Sequence, residues 1–277
     1  MTSLDELTYL FGHTESLPEL PDSPLKLAQL IESSDPNAAQ IEALILADPA
    51  LTVGIIKAAS SALYARSKPV TTIREAVTIL GHRSLRALAI ACWTNSLARI
   101  HSNKSHLTAK RFAQNGNTVS NLAASLSLSQ SEHGTWNQEE LLAAGALHNV
   151  LFGLLSFVDH QTYNEIYNQA KSATVTLDQV FLMNYGDPIG TLAPRAATAL
   201  GLPEFFIQTV NCINTPFEDQ DASQACLTTA KAVAETQTLG LGDWQVPFPQ
   251  TPIALNENEI EPLVQLATAR PGLLNAA

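Results

Sequence analysis

The chain has 277 residues, 45% of them apolar and only 15% charged, and carries a formal net charge of −11. The apolar content excludes a low-complexity disordered chain, and the negative total excludes a uniformly basic nucleic-acid binder. A chain of this size buries roughly 73% of its extended surface on folding, so it forms a large core without disulfide or metal staples.

In chain order, the first segment, MTSLDELTYLFG, places Asp5 and Glu6 where an export signal carries lysine or arginine before an apolar run, so no signal peptide is expected. Helix starts then recur. Asp48-Pro49 and Asp187-Pro188 set an N-cap before a proline at the first helical position. Thr72 to Glu75 and Asn137 to Glu140 have capping-box form. Apolar residues follow at helical spacing, as in Ile41, Leu44 and Ile45, and Gly81, Gly186 and Gly201 mark helix ends. The pattern predicts an all-α, multi-helical fold with helices over about 24–33, 38–47, 49–64, 72–80, 83–100, 107–128, 138–156, 161–170, 176–185, 188–200, 203–214, 222–239 and 257–269. Short loops place neighbouring helices antiparallel or at moderate angles. The polar stretch His101 to Ser105 divides an N-terminal helical lobe, 1–105, from a second bundle, 106–240. Residues 241–277 form an extension with a final helix.

The most apolar window, Leu141 to Val158, is interrupted by His148, Asn149 and Ser156 and reads as a buried core helix rather than a membrane span. Cys92, Cys212 and Cys226 are odd in number and set among apolar residues, which predicts buried thiols in a reducing compartment. A soluble, cytoplasmic protein is expected.

Charge is unevenly spread. Residues 1–56 carry −8, residues 57–111 carry +9 and residues 112–277 carry −12. The basic segment contains Lys57, Arg66, Lys68, Arg74, Arg83 and Arg86, followed by Arg99, Lys104, Lys110 and Arg111. Two readings stand: the bases pair with the acidic flanks and hold parts of the fold together, or they face an anion, whether nucleotide, nucleic acid or an acidic partner. Arg83 and Arg86 lie in an early helical turn, where a cation opposes the helix dipole by about a few tenths of a kcal/mol, so a carboxylate or an external anion must favour them.

The segments LPELPDSPLKLAQLIES, LILADPALTVGIIKAASSALY, SKPVTTIREAVTILGHRSLRALAIA and ELLAAGALHNVLFGLLSF occur in an order and spacing that resembles the HDOD domain, a family of bacterial signalling relatives of the HD-domain phosphohydrolases. The resemblance extends over about 17–240. It implies an all-α fold and a regulatory or scaffolding role with a protein partner in a signalling pathway.

HD phosphohydrolases hold one or two divalent ions with a histidine on one helix, a His-Asp pair on another and an aspartate on a third, and the ions activate water and stabilise phosphate charge. Here the dipeptide is His148-Asn149, and a neutral amide cannot offset the charge of two dications. The resemblance aligns Asn115 with the first histidine and Lys231 with the late aspartate, where an ammonium repels metal. No histidine pair shows ligand spacing on a helix. His148 sits on an apolar stripe beside Ala144, Gly145, Leu151 and Phe152 and reads as a neutral, hydrogen-bonded core residue. Gly240-Leu241-Gly242 lacks the rest of a dinucleotide loop. The expectation is a non-catalytic protein with no metal, no cofactor and no membrane insertion. The alternatives are a nucleotide- or nucleic-acid-binding regulator using the 57–111 bases, and a degenerate metal-dependent phosphohydrolase.

Overall fold

The computed structural model describes residues 2–13, 21–33, 36–60, 64, 70–98, 104–130, 134–255 and 257–269. Arg66 and Lys68 lie outside these residues, as do Leu17-Pro18 and Leu20 of the family-like segment. Among the described residues every regular element is a helix.

In order they are α1 (Leu4–Gly12), α2 (Asp22–Glu32), α3 (Ala38–Leu46), α4 (Pro49–Ala59), α5 (Ile73–Ala98), α6 (Ala109–Ser127), α7 (Gln138–Leu147), α8 (Val150–Val158), α9 (His160–Ala173), α10 (Leu177–Tyr185), α11 (Ala193–Leu200), α12 (Glu204–Cys212), α13 (Ala222–Thr236) and α14 (Glu257–Ala269). A 3₁₀ turn, Ile189–Leu192, precedes α11.

Local sequence sets these starts. Asp48 accepts the Leu51 N–H with Pro49 opening α4, and Asn137 accepts the Glu140 N–H while the Glu140 carboxylate returns to the Asn137 N–H. Thr108, Asp159, Thr176 and Asp221 cap α6, α9, α10 and α13 in the same way. Each such cap contributes about 1 kcal/mol. Gly81, Gly186 and Gly201, expected at helix ends, all have positive φ. At Gly81 (φ 70°, ψ 171°) α5 breaks into two helical halves, a conformation that a side chain rarely adopts.

The first halves of the lobe, α2, α3 and α4, pack on α5, and α5 continues onto α7. Beneath it α6, α7 and α13 form the tightest-packed group, with α14 laid on α6. Asn121 on α6 donates to the Ala267 carbonyl of α14 at 2.8 Å, which anchors the final helix of the extension. The apolar run Gln138–Val158 is long and apolar enough to cross a membrane, but 83% of its most apolar window is buried inside the protein.

Four expectations need correction. Residues 138–156 do not form one helix: the chain breaks between α7 and α8 at Asn149 (φ −109°, ψ 15°), where the amide turns toward α6. Asp187-Pro188 opens the 3₁₀ turn rather than an α-helix, and α11 begins only at Ala193. Residues 4–12 form a helix that the sequence reading passed over, with Ser3 and Glu6 in a capping box and Leu7 and Phe11 fully buried. This α1, assigned by sequence to the first lobe, packs instead on α11 and the 3₁₀ turn of the second bundle. Thr2 ties it there by bonding Thr162 and Asp159 and by accepting from the Tyr185 hydroxyl. Cys212 and Cys226 are buried, and Cys92 is largely buried against the same core.

Candidate functional site

Asn115, His148, Asn149 and Lys231 converge within the second bundle. Asn115 projects from the middle of α6 and Asn149 from the α7–α8 break, and the Asn149 amide donates to Asn115 Oδ1 at 3.0 Å. The Asn115 amide in turn donates to the Leu239 carbonyl at 3.0 Å. The two amides thus satisfy each other and hold the chain after α13.

Lys231 on α13 is buried. Its ammonium pairs with the Asp178 carboxylate in the first turn of α10, and Glu235 Oε1 lies 3.9 Å away, one turn further along α13. Burial disfavours the lysine charge, but Asp178 and Glu235 outweigh it and hold the Lys231 pKa above the ordinary lysine value. Burial lifts the Glu235 carboxyl to about 7 against the pull of Lys231.

Residues 238–246 form a strap across this cluster. Arg111 donates to the Thr238 carbonyl at 2.7 Å, and Trp244 Nε1 to the Val175 carbonyl at 3.0 Å. Asp243 accepts from Tyr167 and Lys171, each at 2.9 Å. Between the strap and the bundle remains a cavity of about 20 Å³ beside Asn149, Phe152, Asp178, Glu235 and Trp244. That is room for roughly one water molecule, whereas small-molecule sites occupy about 300–1,000 Å³.

The residues do not fit a divalent ion. Among the described residues no three His, Cys, Asp or Glu side chains converge as a ligand set. The ammonium of Lys231 instead lies against the carboxylates.

His148 donates through Nδ1 to the Gly145 carbonyl at 2.6 Å, leaving the buried Nε2 without a hydrogen-bond partner. Burial first, and the positive charge of Lys231 second, push its pKa down to about 3. The native ring stays neutral while the unfolded ring protonates below about 6.5, so its contribution to stability is lost as pH falls from 6.5 toward 3. Glu235 acts in the opposite sense, because its native carboxyl keeps a proton between about 4.5 and 7 that the unfolded chain has lost. The effect of His148 is therefore cleanest below pH 4.5. Between pH 4.5 and 3 the wild type should lose about 2 kcal/mol relative to His148→Gln in urea unfolding. Parallel pH profiles for the two proteins would contradict a neutral buried histidine.

The basic residues are elsewhere and are largely used within the fold. Arg74 pairs with Glu42 at 2.9 Å, joining α5 to α3, and Lys57 lies in the last turn of α4, where the helix dipole favours a cation. Arg83 and Arg86 open the second half of α5. Arg83 bonds both Glu140 oxygens and the Thr135 carbonyl. Arg86 bridges Glu140 at 3.0 Å to Glu32 at 3.1 Å and lies 5.6 Å above the Phe205 ring. The carboxylates that compensate these cations come from the acidic segments on both sides of the basic one.

The sequence reading missed Asp178, Glu235 and the strap. The i, i+4 spacing of Lys231 and Glu235 is legible in the sequence and points to one helix face. The contribution of Asp178, 53 residues away, carries no local signal.

An all-α, multi-helical array is the class of fold this arrangement defines. A model of the HDOD domain matches residues 17–216, and the chain belongs to that family. Among solved structures it is similar to an HDOD domain protein of Geobacter sulfurreducens, at 19% identity and a TM-score of 0.66, covering 99% of this chain and 93% of that one. It is also similar to a Shewanella amazonensis protein assigned as a phosphohydrolase (18% identity, TM-score 0.59, 96% and 91% covered). A third is a Marinobacter aquaeolei protein assigned to signal transduction (16%, 0.63), of which this chain spans 60%. At these identities the likeness is one of fold. No curated protein matches the chain significantly.

Proposed function

We propose that the chain is a non-catalytic HDOD regulatory protein that acts in the cytoplasm through contacts with a protein partner in a signalling pathway. What supports this reading is the chemistry at the positions that the family resemblance aligns with metal ligands: Asn115 and Asn149 form an amide pair, Lys231 carries an ammonium paired with Asp178, and the remaining space admits about one water. Hydrolysis of a phosphate ester by metal ions requires both a dication and an open position for substrate beside it. Neither requirement suits this site. Free cysteines, with Cys212 and Cys226 buried, fit a reducing compartment.

The anion-facing reading of the basic segment is less favoured, since Arg74, Arg83 and Arg86 have carboxylate partners in the fold. The test is elemental analysis of the purified full-length chain, together with assays for hydrolysis of nucleotides and cyclic dinucleotides in added Mn²⁺ or Mg²⁺. Neither stoichiometric metal nor turnover is expected. Bound metal accompanied by turnover abolished in His148→Ala would establish the degenerate phosphohydrolase instead.

A further inference from the structure

Lysines are almost never fully buried without a partner, and Lys231 is paired on two sides. Asp178 meets it from α10 and Glu235 from its own helix. The ion pair thus links α10 to α13 at the floor of the strap. The carboxylate end of the bridge lies in the first turn of α10, where the helix dipole favours negative charge. On the neighbouring side the Asn115–Asn149 pair supplies no charge, and His148 Nε2 offers an unpartnered lone pair, as expected of a neutral ring kept beside a permanent cation.

We propose that Lys231 is the resident cation of this site: its ammonium, tethered to α13, occupies a cation pocket formed by Asp178 and Glu235 and closes α10 on α13 without a divalent ion. The ligand class this pocket accepts, once the lysine side chain is removed, is a primary alkylammonium. Its N–H groups can reach both carboxylates, and its short chain replaces the deleted methylenes. The inference rests on the non-catalytic reading and deepens it, because it names what replaced the metal and makes the bundle indifferent to chelators.

The test uses the full-length chain. In Lys231→Ala the melting temperature should fall by roughly 10 °C, the scale expected when one partner of a buried ion pair is removed from a chain of this size. Millimolar ethylammonium chloride should then raise the melting temperature of the variant by several degrees and leave the wild type unmoved. Tetramethylammonium chloride, which has no N–H donor, should do neither at matched ionic strength. EDTA should leave the wild type unchanged. A variant as stable as the wild type, equal ethylammonium effects on both chains, or a wild type weakened by EDTA would overturn the proposal.

Should the variant fail to fold, brief acetylation of the native wild type, read by mass spectrometry, decides the matter. Lys231 should be modified roughly tenfold less than exposed Lys26 and Lys171, and equal modification would overturn its role. Stoichiometric metal with turnover in the wild type would remove both this proposal and the non-catalytic reading. Failed rescue in a metal-free, inactive chain would remove this one alone.

Discussion

Replacing Gly145 with alanine is expected to destabilise the protein by at least about 3 kcal/mol, beyond the usual range for one added methyl group. Gly145 lies where α7 crosses α6, and an added Cβ would stand 2.3 Å from Ser120 Cα and 2.4 Å from Ser120 N. Those are backbone atoms of a buried helix, so relief requires moving α6 away from α7. That movement would also separate Asn115 from Asn149, which span the same interface. Gly116 provides the control: its Cβ would meet Ala146 Cα at 3.5 Å, an ordinary contact. Gly116→Ala should be neutral or gain up to about 1 kcal/mol from helix propensity. Thermal unfolding of the two variants side by side checks the interface, and equal stability would show that the helices are further apart than the structure places them.

The second large effect is expected at Glu140. Its side chain is 1% exposed and receives both Arg83 and Arg86 as well as the Asn137 N–H, so it is at once a helix cap and the centre of an ion network. Glu140→Ala removes the capping carboxylate and the partner shared by two guanidinium groups, with Arg86 keeping Glu32, and should cost about 2–3 kcal/mol. Arg83 is 60% exposed, and water takes over most of its role; Arg83→Ala should cost less than about 1 kcal/mol. Urea midpoints for the two variants test this order, and similar losses would count against Glu140 as the centre. A related consequence concerns charge reversal. Arg83→Glu combined with Arg86→Glu would gather like charges around a buried carboxylate, so any loss of partner binding in that variant must first be separated from unfolding.

Much of the architecture was legible because its determinants are local. Asp48-Pro49, the Asn137 to Glu140 box and the three glycines at positive φ each act within one turn, and each lies where the sequence pattern places it. The α7–α8 break was not legible, because Asn149 turns in response to Asn115, which is 34 residues away in the chain. Helix α1 was legible in principle: Ser3 and Glu6 have the spacing of a capping box, followed by Leu7 and Phe11 on one face. At the site, the family resemblance leads to Asn115, His148, Asn149 and Lys231, but the pairing of Lys231 does not show, since Lys231 and Asp178 meet only through the fold. The net charge likewise locates a basic segment without revealing that Glu32, Glu42 and Glu140 neutralise much of it.

The docking of α1 on α11 alters how the chain must assemble. The first lobe is, in effect, spliced into the second bundle, since the segments before and after it belong to one body. A fragment ending at residue 105 would leave Leu7 and Phe11 without cover and deprive the remainder of its clip. In the chain α1 precedes its partner surface on α11 by some 180 residues, a delay of roughly 10–40 s at ordinary elongation rates. Helix α1 can therefore dock only once the chain has been made through α11, and its apolar face waits for a surface encoded far downstream.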